Sequence, residues 1–555
     1  MSSVSTYQSW IRQSVKVIRR EFWIALAFLT LSTISIAAVF WIFAHPYGTN
    51  WDETQSINRV YRDAQSFQRG GVLELIRVLL REDRSRPSAF RILVLPVTLF
   101  FGVSPTILRI LSLMFLWVTF LFTYLAGKRI AGSMAGGFTV AFLAICPILI
   151  EANMRFYVDY PLYLAIAAML YFLFLDWNSD QPVAYSWIGL GIAMGLGGLA
   201  KPTIVFIAAP IMLLTLLLSW RRIIIRPSPI SVVKASGLAF AVMLPWWVFN
   251  FKLALTKAFS SGRFFRHSLG PKGSVETLVK WLYVFAQSML GPALTLLTLA
   301  ILITFVVKLS RKRIKLDVTT STAIAVCLAG ALPLLIVAAF GTNHNVRLIA
   351  PTLFPLALAI GIIATATRWT TSRSLAAISA AIVGFQLTII ISSSSGEQRY
   401  HSGEAADQKL LWGNPTTVML KAKQWDWSKL RKLCQDHQIP QPSIAYLGNT
   451  GTFNIPQITY PWIEAKEEIV VTWLWNYEKG LINWDTVMKS VDSSDVVLTI
   501  PGLVGNPIDK QYLDNQHNAD LLQRLQNNPQ FSQPVVLQME PSEAAQVLVF
   551  FRKHL

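Results

Sequence analysis

The sequence predicts a membrane protein with an all-α transmembrane part of about eleven helices. Interfacial helices are expected in its first external loop, and an extracytoplasmic α/β domain at its C-terminus. Three observations carry this expectation. Of 555 residues, 53% are hydrophobic and 14% charged, with a mean hydropathy of +0.46, whereas soluble domains are roughly 25% charged. Apolar runs of bilayer-crossing length recur up to residue 392. From Ser393 onward the composition turns polar, giving two expected domains, 1–392 and 393–555.

The expected spans lie near 22–44, 108–126, 134–150, 160–176, 186–200, 203–219, 230–250, 282–307, 322–341, 348–366 and 374–392. The first is too long for a signal-peptide core, and no small-residue cleavage site precedes His45-Pro46, so it reads as a retained span. The run "FRILVLPVTLFFG" (90–102) is too short to cross and holds Pro96, so it is expected in the interface or packed among the spans.

Basic residues set the orientation. Lys128-Arg129, Arg221-Arg222-Arg226, "KLSRKRIK" (308–315) and Arg368/Arg373 fall on one side together with the N-terminal Arg12, Lys16, Arg19 and Arg20. With that side cytoplasmic, an odd number of spans places 393–555 outside, in a cell membrane. The loop 45–107 is then external although rich in arginine. Within "GGVLELIRVLLREDRSR", Leu73, Ile76 and Leu80 share a helical face, as in a helix lying in the headgroup plane. The tail alternates strand-like runs ("SIAYLG", "EIVVTWLW", "DVVLTI", "AQVLVFF") with helix-like ones, which is an α/β pattern.

The net charge of +19 is uneven, because residues from 393 onward carry 14 Lys/Arg against 17 Asp/Glu. Excess positive charge on an apolar multispan chain points to anionic lipid headgroups, not to nucleic acid. Cys146, Cys327 and Cys434 form no disulfide framework. His45, His267 and His344 share no ligand spacing, so no metal site is expected from the pattern. No cofactor is called for, and a divalent metal stays an open alternative.

Acids are scarce before residue 393 and cluster in two external loops. In the first, Asp52 and Glu53 are adjacent in "NWDETQS"; the second holds Glu151 and Asp159. A carboxylate at headgroup depth could take a proton from a hydroxyl group. Acids in a first helical turn are also simply favoured by the helix dipole, so both readings stay open for Asp52-Glu53. In "NMRFYVDYPLYL", Arg155 and Asp159 are four apart and would pair on one helical face. The stretch "GLGIAMGLGGLAKPT" is not a phosphate-binding loop, since no glycine directly precedes its lysine; its glycines suit close helix packing. Lys201 at its end and Arg347 in "NVRLIAPTLFPLALAIG" suit contact with a phosphate. The acid-free segment 250–273, with Arg263, Arg266 and His267 among aromatics, reads either as a platform for an anionic donor or simply as an interface anchor.

Taken together, these motifs resemble the C-type membrane glycosyltransferases, in the bacterial branch similar to protein O-mannosyltransferases and aminoarabinose transferases. The resemblance covers about residues 20–365 in order: "WDE", "FFGVSPTILRILS", "ICPILIEANMRFYVDYPLYL", "GLGGLAKPT", "PWWVFNF" and "NVRLIAPTLFPLALAIG". It departs at Leu348, where many relatives have tyrosine, and in the tail, which carries no motif of the protein mannosyltransferases. The resemblance implies a polyprenyl-phosphate-linked sugar as donor and inverting transfer to a hydroxyl acceptor (lipid, glycan or protein) at the outer membrane face. It implies Asp52 as the base, with Glu53 and Asp159 as the matching acids. Arg155, Lys201 and Arg347 would hold the donor phosphate. The competing readings are a lipid-linked-sugar flippase or transporter, and an O-antigen ligase or polymerase. Acids placed in loops, away from mid-membrane, argue against a transporter.

Overall fold

The computed structural model describes residues 2–48, 50–84, 86–177, 179, 181, 183–264, 273–341, 346–392, 425–448, 452–474, 482–501, 517–539 and 546–553; the side chains of 2–20, 151, 153, 257–264 and 389–392 are outside that description. In chain order the helices of the first part are α1 (Ser2–Ala44), α2 (Trp51–Arg81), α3 (Ala89–Phe101), α4 (Pro105–Ala131), α5 (Ser133–Ala144), α6 (Pro147–Met154), α7 (Tyr160–Leu175) and α8 (Ser186–Ala200). They continue as α9 (Val205–Trp220), α10 (Pro229–Phe264), α11 (Val275–Val284), α12 (Pro292–Ser310), α13 (Val318–Phe340), α14 (Val346–Ile349), α15 (Leu353–Ala366) and α16 (Arg373–Ser392).

Among the described residues, 7 helices are long and apolar enough to cross a membrane. Shorter apolar helices, α5, α7, α8 and most of α16, stand where the sequence suggests further spans. The bundle is centred on α14–α15, whose most apolar window is 83% buried. Glycines bring α8 close to α10, as their spacing suggests: a Cβ on Gly191 would lie 2.8 Å from the carbonyl oxygen of Ala235.

Two expected spans are not continuous helices. The run 134–150 breaks at Cys146-Pro147 and the run 282–307 at Gly291-Pro292, because proline supplies no N–H and blocks the preceding turn. Backbone groups freed inside an apolar bundle need partners, and one buried side chain supplies several. Gln386 on α16 donates from Nε2 to Ile145 O at 2.9 Å and to Leu290 O at 2.7 Å, and accepts from Leu294 N at 3.1 Å. Gln386→Leu keeps the volume and removes all three contacts. It should destabilise the bundle by about 1–3 kcal/mol for each group left unsatisfied, read as a lower unfolding midpoint in detergent. An unchanged midpoint would contradict this account.

The helices alternate in direction, which gives the bundle two ends. At one, Trp23 Nε1 donates to Thr370 O at 3.0 Å, Arg129 Nε to Leu175 O at 3.0 Å and Lys308 Nζ to Thr367 O at 2.6 Å. The basic residues around 128–129, 308–315 and 368–373 gather there. The other end holds α2 and α3. Helix α2 bends at Gly71, whose φ of 64° is a left-handed value that glycine adopts without strain. Beyond the bend Val72, Leu73 and Ile76 are exposed, Leu73 by 82%, as expected of a helix lying on lipid. Helix α3 has 13 residues with Pro96 inside, too short to cross, as its sequence indicates.

The C-terminal part folds as an α/β unit. Strands β1 (Ser443–Tyr446), β2 (Val470–Trp473), β3 (Val496–Thr499), β4 (Val535–Gln538) and β5 (Gln546–Phe551) form one sheet in the order β2-β1-β3-β5-β4. β1 is parallel to β2 and β3, while β5 runs antiparallel to β3 and β4. Four of the strands coincide with the strand-like runs of the sequence; β4 is the addition. Helices α17 (Ser428–Asp436), α18 (Ile455–Glu464), α19 (Trp484–Asp492) and α20 (Asn518–Gln526) complete the unit.

Candidate active site

Helix α2 is preceded by Asn50, whose Oδ1 accepts from Glu53 N at 2.9 Å. Asn50 therefore caps the helix, which frees the Asp52 side chain for other partners. Its Oδ2 accepts from Arg347 Nη1 at 2.9 Å and its Oδ1 from Arg86 Nη2 at 3.2 Å. The side chain is 38% exposed, so it is both ion-paired and open to solvent.

Glu53 points the other way, since successive helical residues diverge by about 100°. It is fully buried and forms a bidentate pair with Arg109 at 2.8 and 2.9 Å. It also accepts from Phe156 N at 3.0 Å. Arg109 further donates to the carbonyls of His45 and Tyr47. Glu53, expected as the second acid beside the base Asp52, thus joins α2, α4 and the loop after α6, an arrangement that suits positioning.

Asp159 precedes α7, with Pro161 in the first turn, and its side chain makes no capping bond. Its Oδ1 accepts from Lys201 Nζ, and its Oδ2 accepts from Arg347 Nε and Nη2 at 3.2 and 3.0 Å. The predicted helical pairing with Arg155 does not describe this acid, because the chain between the two is not helical. Arg155 Nη1 instead donates to Tyr157 Oη at 2.8 Å. The same hydroxyl accepts from Asn50 Nδ2 at 2.6 Å, and the Arg347 guanidinium lies 4.0 Å from the Tyr157 ring centroid. Tyr157 therefore braces one arginine through its ring and another through its hydroxyl.

Lys201 follows the last turn of α8 in extended backbone, ahead of Pro202. Trp247 of "PWWVFNF" stabilises that helix end by donating from Nε1 to Gly198 O at 3.0 Å. In the same motif, Asn250 Nδ2 donates to Leu80 O at 2.7 Å and ties α10 to the part of α2 beyond its bend.

The charges explain one another. Burial raises the proton affinity of Asp52 and Asp159, but the facing cations outweigh it and hold both below the ordinary carboxylate range: Arg347 and Arg86 for Asp52, Lys201 and Arg347 for Asp159. Among the described residues, Arg86, Lys201 and Arg347 meet the two carboxylates Asp52 and Asp159. Of the residues singled out in the sequence, the fold brings Asp52, Asp159, Lys201 and Arg347 together and sets Arg155 behind them. The sequence does not single out Arg86, Tyr157, Asn50 or Arg109. Arg86 belongs to a recognisably basic loop; the other three carry no distinguishing local signal. Of the expected platform, Arg266 and His267 lie outside the described residues, as does the side chain of Arg263. Among the described residues, no group of three or more His, Cys, Asp or Glu could hold a metal ion.

Residues 86–249 match the family described as dolichyl-phosphate-mannose-protein mannosyltransferase. No curated protein matches the chain. The solved structures add a likeness of overall shape. ArnT from Cupriavidus metallidurans bound to undecaprenyl phosphate aligns with a TM-score of 0.56 at 11% identity, covering 95% of this chain and 97% of that one. The chain shares the fold of this ArnT over nearly its whole length. The apo form of the same ArnT aligns at 0.54, with 94% and 97% covered, again at 11% identity. The Archaeoglobus fulgidus oligosaccharyltransferase tethered with an acceptor peptide aligns at 0.50 and 11% identity, covering 95% and 74%. In this shared fold the charged cluster stands at the end of the bundle that carries α2, α3 and the C-terminal unit.

Proposed function

We propose that this protein transfers a sugar from a polyprenyl-phosphate-linked donor to a hydroxyl acceptor at the outer face of a cell membrane, with inversion. The observation that carries the reading is Arg347 held between Asp52 and Asp159 beside Lys201, a carboxylate and an anion site within one cluster. Residues 1–392 form the catalytic membrane part and 393–555 an external domain, an orientation supported by the basic residues at the opposite end of the bundle.

In this mechanism Asp52 takes the proton of the acceptor hydroxyl as its oxygen bonds to the anomeric carbon. The bond from that carbon to the phosphate oxygen breaks on the opposite side, and polyprenyl phosphate leaves with one more negative charge. Lys201 and Arg347, with Arg155 behind them, stabilise that charge. Asp159 orients the two nearest cations. The donor phosphate competes with both carboxylates for Arg347, so donor binding also releases an oxygen of Asp52 for the acceptor. Undecaprenyl phosphate bound by the ArnT structure is consistent with this donor class.

The test is transfer by the purified protein in liposomes, with a polyprenyl-phosphate sugar and a hydroxyl acceptor. Lys201→Ala removes a charge-assisted contact and should weaken polyprenyl-phosphate binding by about tenfold or more. Movement of the donor lipid across the bilayer without any transfer product would overturn the reading in favour of a transporter.

A further inference from the structure

We infer that the C-terminal domain is a clamp that positions the Asp52 carboxylate by gripping helix α2 through α18, so that it belongs to the catalytic unit. The inference rests on the glycosyltransfer reading above. One side of α2 carries the charges of the site. Another carries Trp51, Asn58, Tyr61 and Gln65, at helical spacing, and all four meet the C-terminal domain.

Trp51, next to Asp52, packs against Trp473 at the end of β2 with ring centroids 6.2 Å apart. Asn58 Nδ2 donates to Pro456 O at 2.9 Å, and Gln65 Nε2 donates to Ile463 O at 2.8 Å. Tyr61 meets Tyr460 edge to face at 5.9 Å. In the other direction, Gln457 Nε2 of α18 donates to Gly48 O at 2.9 Å, just before the cap of α2. Asn58 and Gln457 are buried. These contacts run along about four turns of α2 and fix its rotation as well as its height. A ribbon of loose surface contacts would not do so, because buried amides bonded to backbone carbonyls lose their partners on a small rotation.

The consequence is catalytic. The contacts above go to α2, which carries Asp52, whereas Lys201 stands at the end of α8 and Arg347 on α14, both tied to Asp159. A misplacement of about 1 Å can lower a rate on the order of 10²-fold. Loosening the clamp should therefore lower turnover while leaving the phosphate site in place.

The experiment uses the full chain in liposomes, with Asn58→Asp and Gln65→Glu separately. Each keeps the shape but turns a donor toward a carbonyl into an acceptor. The expected result is a fall in kcat of about tenfold or more, with the KM for a polyprenyl-phosphate sugar unchanged and faster amide exchange over residues 51–60. Unchanged kcat in both variants, or parallel loss of kcat and of polyprenyl-phosphate affinity, overturns the clamp. If the wild-type protein makes no transfer product, the glycosyltransfer reading fails by itself. Amide exchange then decides the clamp: wild-type rates over 51–60 in both variants would refute it, and faster exchange would support it.

Discussion

Asp52→Asn should lower transfer by roughly two to four orders of magnitude, with polyprenyl-phosphate binding retained. The substitution keeps the size and removes the proton acceptor. Helix α2 does not depend on Asp52 for its cap, because Asn50 supplies it. The fold should therefore be unaffected. Arg347 keeps its two bonds to Asp159 and loses one competing carboxylate, so donor affinity should hold or rise. The measurement is single-turnover transfer beside equilibrium binding of polyprenyl phosphate. Transfer at near wild-type rate by the Asn variant would remove Asp52 from the mechanism.

Glu53→Gln should do something different, although the two residues are neighbours. It leaves the Arg109 guanidinium buried without its counter-charge, and breaking such a pair costs about 3–5 kcal/mol. The glutamine can still accept from Phe156 N, so the loop before Asp159 keeps one of its ties. The variant should unfold at a markedly lower temperature, while the folded fraction retains much of its turnover. Equal stability with a collapse of kcat would make Glu53 a participant in proton transfer and would reverse the assignment made from its burial.

Much of the architecture is legible in the sequence because it depends on local pattern. A run of about 20 apolar residues can satisfy its own backbone as a helix in lipid, so the positions of apolar helices follow from composition. The apolar face at Leu73 and Ile76 is likewise visible in the sequence, and the structure leaves both residues exposed. The breaks at Pro147 and Pro292 are visible as residues, yet their repair by Gln386 is not, since its partners lie 241 and 96 residues away. The same limit applies to Arg155. Four-residue spacing pairs it with Asp159 only if the segment is helical, and the chain there is not.

The sequence by itself determined a basic, multispan chain with acids confined to loops, a polar α/β tail, and a short set of charged residues suited to a phosphate and a hydroxyl. Only the tertiary structure decided which of these meet. Asp52, Asp159, Lys201 and Arg347 come from four separate segments, joined where helices α2, α7, α8 and α14 begin or end at one side of the bundle. It also decided that Asp52 faces the cations and Glu53 the interior. Adjacent residues on a helix point about 100° apart, and which direction is the site depends on the packing of distant helices and of the C-terminal domain.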